Sequence, residues 1–183
     1  MRKALPTGML WSVVVVVAVV LSPAWADTAA EIDKEVDVAL EKLYANSPAA
    51  KDLSTIARGI LVFPNVYKAG FIVGGQYGDG ALRKNGKTVG YYRTLAASYG
   101  LQAGIQSFGY ALFFIKDEAL EYLHKSHGWE IGVGPSLVVV DTGFASSLTS
   151  TTAKDDIYAF FFDQKGLMGG IGIQGAKITQ INP

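Results

Sequence analysis

Apolar residues recur at helical spacing early in the chain, at Ile32, Val36, Ala39 or Leu40, and Leu43. Charged residues (Glu31, Lys34, Glu35, Asp37, Glu41, Lys42) fill most of the other positions. This pattern predicts an amphipathic helix over Asp27–Asn46, with Asp27 and Thr28 available as caps. Ser47-Pro48 then supplies a cap followed by a proline at a first helical position. A short second helix is expected to run to about Arg58, with Ala50, Leu53 and Ala57 on its apolar side.

After Gly59 the periodicity turns to β. Short strands are expected over Gly59–Pro64, Ala69–Tyr77, Gly80–Lys84 and Lys87–Leu95, with one or two more over Ser98–Ile115. Asn85-Gly86 lies between two of these runs. Both positions of a tight hairpin turn require positive φ, which Asn and Gly tolerate, so a hairpin closes here. Asp117–Lys125 reads as a helix capped by Asp117, with Leu120 and Leu123 inward and His124, Lys125 and His127 towards its negative end. Strands over Ile131–Val140, Ile157–Asp163, Leu167–Gln174 and Lys177–Ile181 complete the set, and the Ser/Thr-rich stretch Asp141–Asp156 reads as a loop.

Glycine changes this picture most. The chain has 21, and only Gly8 precedes the first predicted helix. A glycine inside a strand costs about 0.5–1 kcal/mol relative to alanine, so a set this large needs a structural reason. Bulges, coiling and close approach of backbones supply one. The expected fold is α+β: a strongly coiled, barrel-like antiparallel sheet with the N-terminal helices and one further helix packed on it.

The first 26 residues read differently. Arg2 and Lys3, the apolar run Met9–Leu21 and the small-x-small site Ala24-Trp25-Ala26 keep the order of a secretory signal peptide. The apolar run is too short for a bilayer span, which needs roughly 20 residues. Cleavage near Ala26 would leave Asp27–Pro183 as a single domain, periplasmic or secreted. A domain of about 150 residues buries roughly 68–70% of its unfolded surface and needs no covalent staples. With no cysteine, the chain has no disulfide, no thiolate metal site, no cysteine nucleophile and no acceptor for N-terminal lipid attachment. Without Arg2 and Lys3 it carries 14 basic and 16 acidic residues, a balance that does not attract nucleic acid.

Catalytic signals are weak. Gly170-Ile171-Gly172-Ile173-Gln174-Gly175 matches the dinucleotide pattern, yet the residues after Gly175 look like a strand where a helix is required. His124 and His127 lack a flanking metal motif and read as surface residues facing a helix dipole. Asp141, Asp155 and Asp156 read as solvated loop carboxylates, and G-x-S-x-G is absent. The chain is therefore read as a non-enzyme without cofactor or metal. The positive feature is a set of basic residues among aromatics: Arg58, Lys68, Arg83, Lys84, Lys87 and Arg93, with Tyr91 and Tyr92 beside them. Gathered in space, they would attract anionic lipid headgroups at up to about 1 kcal/mol per cation. The plainer reading of Lys84 and Lys87 is a solvated hairpin tip, with charges that protect a sheet edge.

The run Ala57-Arg58-Gly59-Ile60-Leu61-Val62-Phe63-Pro64, continuing through Lys68-Ala69-Gly70-Phe71 and Gly74-Gly75-Gln76-Tyr77-Gly78-Asp79-Gly80, closely resembles the opening of the SYLF domain. Tyr99–Gly104, Gly132-Val133-Gly134-Pro135 and Lys165–Gly170 extend the resemblance. That family occurs in actin-associated eukaryotic proteins and in many exported bacterial ones. The resemblance implies phospholipid binding, with phosphoinositide and actin roles confined to eukaryotic members, so an anionic phospholipid or membrane surface is the expected partner and actin is not. Where many members have Trp-x-x-Pro, this chain has Tyr91-Tyr92-Arg93-Thr94, a departure that bears on lipid specificity. The competing expectation is a small outer-membrane-type β-barrel or a structural envelope protein. It is opposed by the helical segments and by an Ile-Asn-Pro terminus where a barrel would end in an aromatic strand.

Overall fold

Thr28 and Glu31 cap each other: the Glu31 carboxylate accepts from the Thr28 N–H at 2.9 Å and the Thr28 hydroxyl accepts from the Glu31 N–H at 3.3 Å. Helix α1 (Ala29–Asn46) starts from this box and buries Ile32, Val36, Ala39 and Leu43. In this computed structural model, secondary structure is described for residues 28–126, 129–166, 173 and 175–183. The proposed signal peptide, His127, the strand expected over Leu167–Gln174 except Ile173, and most of the glycine motif at 170–175 lie outside the described residues. Ser47 accepts from the Ala50 N–H at 3.2 Å and starts α2 (Pro48–Leu53), which ends before the expected Arg58.

The separate strands expected between Gly59 and Ile115 are two long ones, β1 (Gly59–Lys84) and β2 (Lys87–Phe114), paired antiparallel along their whole length. Pro64 does not end its strand. It falls at the register shift between Phe63 and Val66, where a residue without N–H breaks no ladder bond. Asn85 and Gly86 close the hairpin at φ 51° and 74°, as the Asn-Gly pair requires.

Neither strand is straight. Residues 16 apart in an extended strand are about 50 Å apart, yet the Tyr110 hydroxyl donates to Thr94 Oγ1 at 2.8 Å, within β2. In β1, a Cβ on Gly80 would collide with the Val62 carbonyl oxygen and lie 2.7 Å from the Phe63 ring. The hairpin is doubled over, and its turning point lies at the second register shift, between Phe71 and Val73. There a Cβ on Gly70 would run into the backbone of Val73 and Gly74. Gly70, Gly78 and Gly80 thus serve the close backbone approach that the glycine content implies.

Each half of β2 is extended by different strands. Residues 106–114 pair with β5 (Ile157–Gly166), which pairs with β4 (Leu137–Val140). Residues 91–95 pair with β6 (Lys177–Ile181), which pairs with β3 (Trp129–Glu130). The class is α+β, as the sequence implies, but the sheet is not wholly antiparallel, because β4 and β5 run parallel. The strand expected over Ile131–Val140 is reduced to Leu137–Val140, and the loop after it contains a helical turn, α4 (Thr142–Ala145), capped by Asp141.

Two cores result. Leu61, Phe63, Leu82, Tyr92, Phe108, Tyr110, Leu112 and Phe114 fill the concave side. Leu120 and Leu123 of helix α3 (Asp117–Lys125) close one end of it. Helix α3 begins at Asp117, with Lys116 as its uncapped N-cap, so Asp117 acts in the first turn and not as the cap. On the convex side, α1 and α2 pack on Ile60, Val62, Ala81, Ala111, Phe113 and Phe160. Strand residues of alternating parity thus serve both cores.

The parallel pair is pinned at its start. Asp156 accepts from the Ser136 N–H at 2.8 Å and pairs with Lys116 at 2.7 Å, contacts that hold its carboxyl below the usual range, with the Lys116 bond the largest cause. A group whose folded pKa is depressed contributes stability above its unfolded value and loses it as pH falls towards the folded one. The stability advantage of wild type over Asp156→Asn, measured by urea denaturation, is therefore expected to be level from neutral pH down to about pH 5 and to shrink below about pH 4. A difference that stays constant through pH 3 would contradict this.

Candidate functional site

The eight basic and aromatic residues that stand out in the sequence are not gathered into one surface. Arg58 pairs with Asp117 at 3.4 Å beside α3. Arg83 donates to the Asp33 carbonyl at 3.0 Å and to the Asp37 carboxylate at 2.6 Å, both on α1. Arg93 holds Asp79 through two bonds of 2.7 and 2.8 Å and lies 4.9 Å over the Tyr77 ring. The Tyr91 hydroxyl donates to Asp33 at 3.0 Å, and Tyr92 is buried, its hydroxyl 3.3 Å from His124 Nδ1. Lys84 and Lys87 are exposed at the hairpin tip, close to the Asp33 and Asp37 end of α1. Lys68 is half-buried near the bend, opposite Gln106 in register. Both arginines of the hairpin are thus engaged by carboxylates. The sequence does not show the Arg83 pairing, because Asp37 lies 46 residues before it on another element.

A different surface stands out at the bend. Leu112, Tyr110 and Phe108 face the concave core, so Ser107 and Ile105 alternate with them and face outward. Tyr67 pairs with Ser107 in register. In the other half Leu82 and Tyr92 face inward, so Tyr77 and Leu95, direct register partners, face out. Ile105 (73%), Val73 (60%) and Tyr67 (58%) are the three most exposed large apolar residues described, Leu95 (45%) and Tyr77 (41%) are exposed as well, and all five flank the bend. The Tyr67 row ends on Lys165 of β5 and the Tyr77 row on Lys177 of β6, both exposed. The bend is thus an apolar wedge whose two faces carry a tyrosine and a lysine at matching height.

In sequence, Tyr67 and Tyr77 stand out only as neighbours of the cations, and Val73, Leu95 and Ile105 do not stand out at all. Their signal is apolar residues on the strand face that should be polar, and three register shifts in the hairpin hide which face that is.

Among the described residues no three His, Cys, Asp or Glu side chains are grouped to hold a metal ion, and no helix is long and apolar enough to cross a membrane. No curated protein matches the chain in a sequence search. Residues 95–182 match the family model described as Ysc84, a Las17-binding protein actin regulator. That span takes in Tyr99–Gly104, Gly132–Pro135 and Lys165–Gly170, whereas the motif at 57–82 lies before it. Residues 95–182, from the middle of β2 to the end of β6, thus carry a Ysc84 (SYLF) domain match, in line with the resemblance read from the sequence.

Proposed function

We propose that this protein binds phospholipid without catalysing a reaction on it, by seating the bend of its long hairpin in the membrane surface. The observation that carries the reading is the cluster of exposed apolar side chains at the bend, backed on each face by a lysine. Exposed apolar side chains gathered around one bend of a folded domain mark a partner. Tyrosines suit the bilayer interface, and lysines there gain about 1 kcal/mol each from anionic headgroups. The leader-like segment supports a place outside the cytoplasm, periplasmic or secreted, and with it a membrane partner over the actin machinery named for the family. Cofactor and metal have no part in this reading.

A membrane-spanning barrel fits less well. The convex faces of β1, β2 and β5 at Ile60, Val62, Phe113 and Phe160 are packed under α1 and α2, where such a barrel would face lipid.

Flotation with anionic vesicles at low salt tests the proposal, using the protein as isolated from its producing cells. Replacing both Val73 and Ile105 by Asp should lower the vesicle-bound fraction by at least about tenfold, since each buried aliphatic side chain contributes roughly 1.5–3 kcal/mol. Lys84→Glu with Lys87→Glu, at the far tip, should leave it nearly unchanged. Full flotation of the bend variant, or loss only in the tip variant, would sink the reading.

A further inference from the structure

Away from the bend, two cavities adjoin on the helical side. The larger, about 790 Å³, lies between the α1–α2 junction and the β4–α4–β5 segment, and Leu43, Pro48, Val140, Leu148, Phe160 and Phe162 give it an apolar lining. The smaller, about 330 Å³, lies under α1 and includes Lys34, Val38, Asn65 and Lys42. Lys42 and Asp163 line both, and their ion pair at 2.9 Å stands between them.

The charges in these cavities are unequally committed. Asp141 caps α4, Asp52 accepts from the Ser150 N–H, Glu31 belongs to the α1 capping box and Glu35 accepts from Asn65 at 2.9 Å. Lys34 and Lys42 lie eight residues apart, on one stripe of α1 with Val38 between them. Lys34 has no ion pair among the described residues, and Lys42 has only Asp163. That pair is about half exposed on both sides, 56% and 47%, so little holds it closed. Asp163 is the first of two residues, 163 and 164, that face Phe108 across a register shift, and its φ is 51°. The left-handed conformation at a bulge aims its carboxylate at α1.

We infer that the two cavities form one binding site for a single-chain anionic amphiphile. The acyl chain occupies the apolar groove, and the carboxylate or phosphate head displaces Asp163 from Lys42 and reaches Lys34. The larger volume lies within the range of small-molecule sites, and the lining has their character, mainly apolar with a few placed polar groups. This site is separate from the bend and does not depend on the bilayer contact proposed there.

Calorimetric titration below the micellar concentration tests it, with palmitate, 1-palmitoyl-lysophosphatidylglycerol and the uncharged monopalmitoylglycerol as probes. One mole of palmitate, of the lysolipid, or of both should bind per mole of protein, the pattern telling carboxylate from phosphate, with monopalmitoylglycerol weaker. Ser146→Trp, which projects an indole into the groove from an exposed position, should weaken binding by at least about tenfold. Lys42→Ala should remove the preference for a charged head, and Asp163→Asn should tighten binding. Unchanged thermal unfolding and vesicle flotation of these variants separate this site from a folding defect and from the bend. Absence of binding by both anionic probes, or wild-type affinity in Ser146→Trp or Lys42→Ala, overturns the inference.

Discussion

Replacing Gly80 by alanine is expected to destabilise the protein by about 3 kcal/mol, a fall of roughly 6–12 °C in Tm for a domain of this size. The added methyl would strike the Val62 carbonyl oxygen, with the Phe63 ring edge at 2.7 Å. A side chain can swing away from an intruder, but a carbonyl held in the β1–β2 ladder can move only if the ladder moves. The two halves of β1 would have to separate, opening the concave core between Leu61, Phe63 and Leu82. Gly75 in the same strand supplies the control, since its Cβ would find only the Ala96 carbonyl, at 3.9 Å. Gly75→Ala should be neutral or stabilise by up to about 1 kcal/mol, through the lower entropy of the unfolded chain. Urea midpoints of the two variants decide the matter. If they shift alike, the glycines are not there for backbone contact, and the doubled hairpin loses its main sequence rationale.

The second large effect is expected at Asp79. Its side chain is 2% exposed, receives two bonds from Arg93 and accepts a third from the Tyr77 hydroxyl at 2.8 Å. The bonds to Asp79 raise the Arg93 pKa further, so the guanidinium stays charged and the pair acts as a unit. Asp79→Ala removes all three acceptor contacts and leaves a partly buried cation without its counter-charge, a loss of about 3 kcal/mol. Asp79→Asn keeps one bond to each neighbour and should cost about half as much, and Arg93→Lys about 1–2 kcal/mol because an ammonium cannot make the forked contact. The double variant Asp79→Ala/Arg93→Ala should be less destabilised than the sum of the single ones, as expected for a pair in contact. Additive losses would show that the two residues act separately. Since the guanidinium is engaged inside the fold, Arg93 variants that remain folded should float with vesicles as wild type does.

These two sites show where a reading of residues stops. The helical spacing of Ile32, Val36 and Leu43, the cap at Thr28 and the turn at Asn85-Gly86 depend on atoms a few positions apart, and all three appear in the fold. The glycine content signalled that backbones come together, and they do. That Gly80 meets Val62, however, depends on where a 26-residue strand doubles back, and no local pattern encodes that point.

The candidate surface was less legible still. Arg83 and Arg93 look like free cations in sequence, because what removes them from solvent is a carboxylate brought up by another element. Ile105 and Leu95 look like core residues, because apolar character in a strand predicts burial but does not say which face a register shift has turned outward. The linear order of residues thus determined the classes of element, the tight turn and the need for a coiled sheet, all matters of short-range sterics and hydrogen bonding. Only the folded arrangement decided which charges are neutralised and which apolar side chains remain in water, because both depend on long-range packing and on the parity that bulges reset.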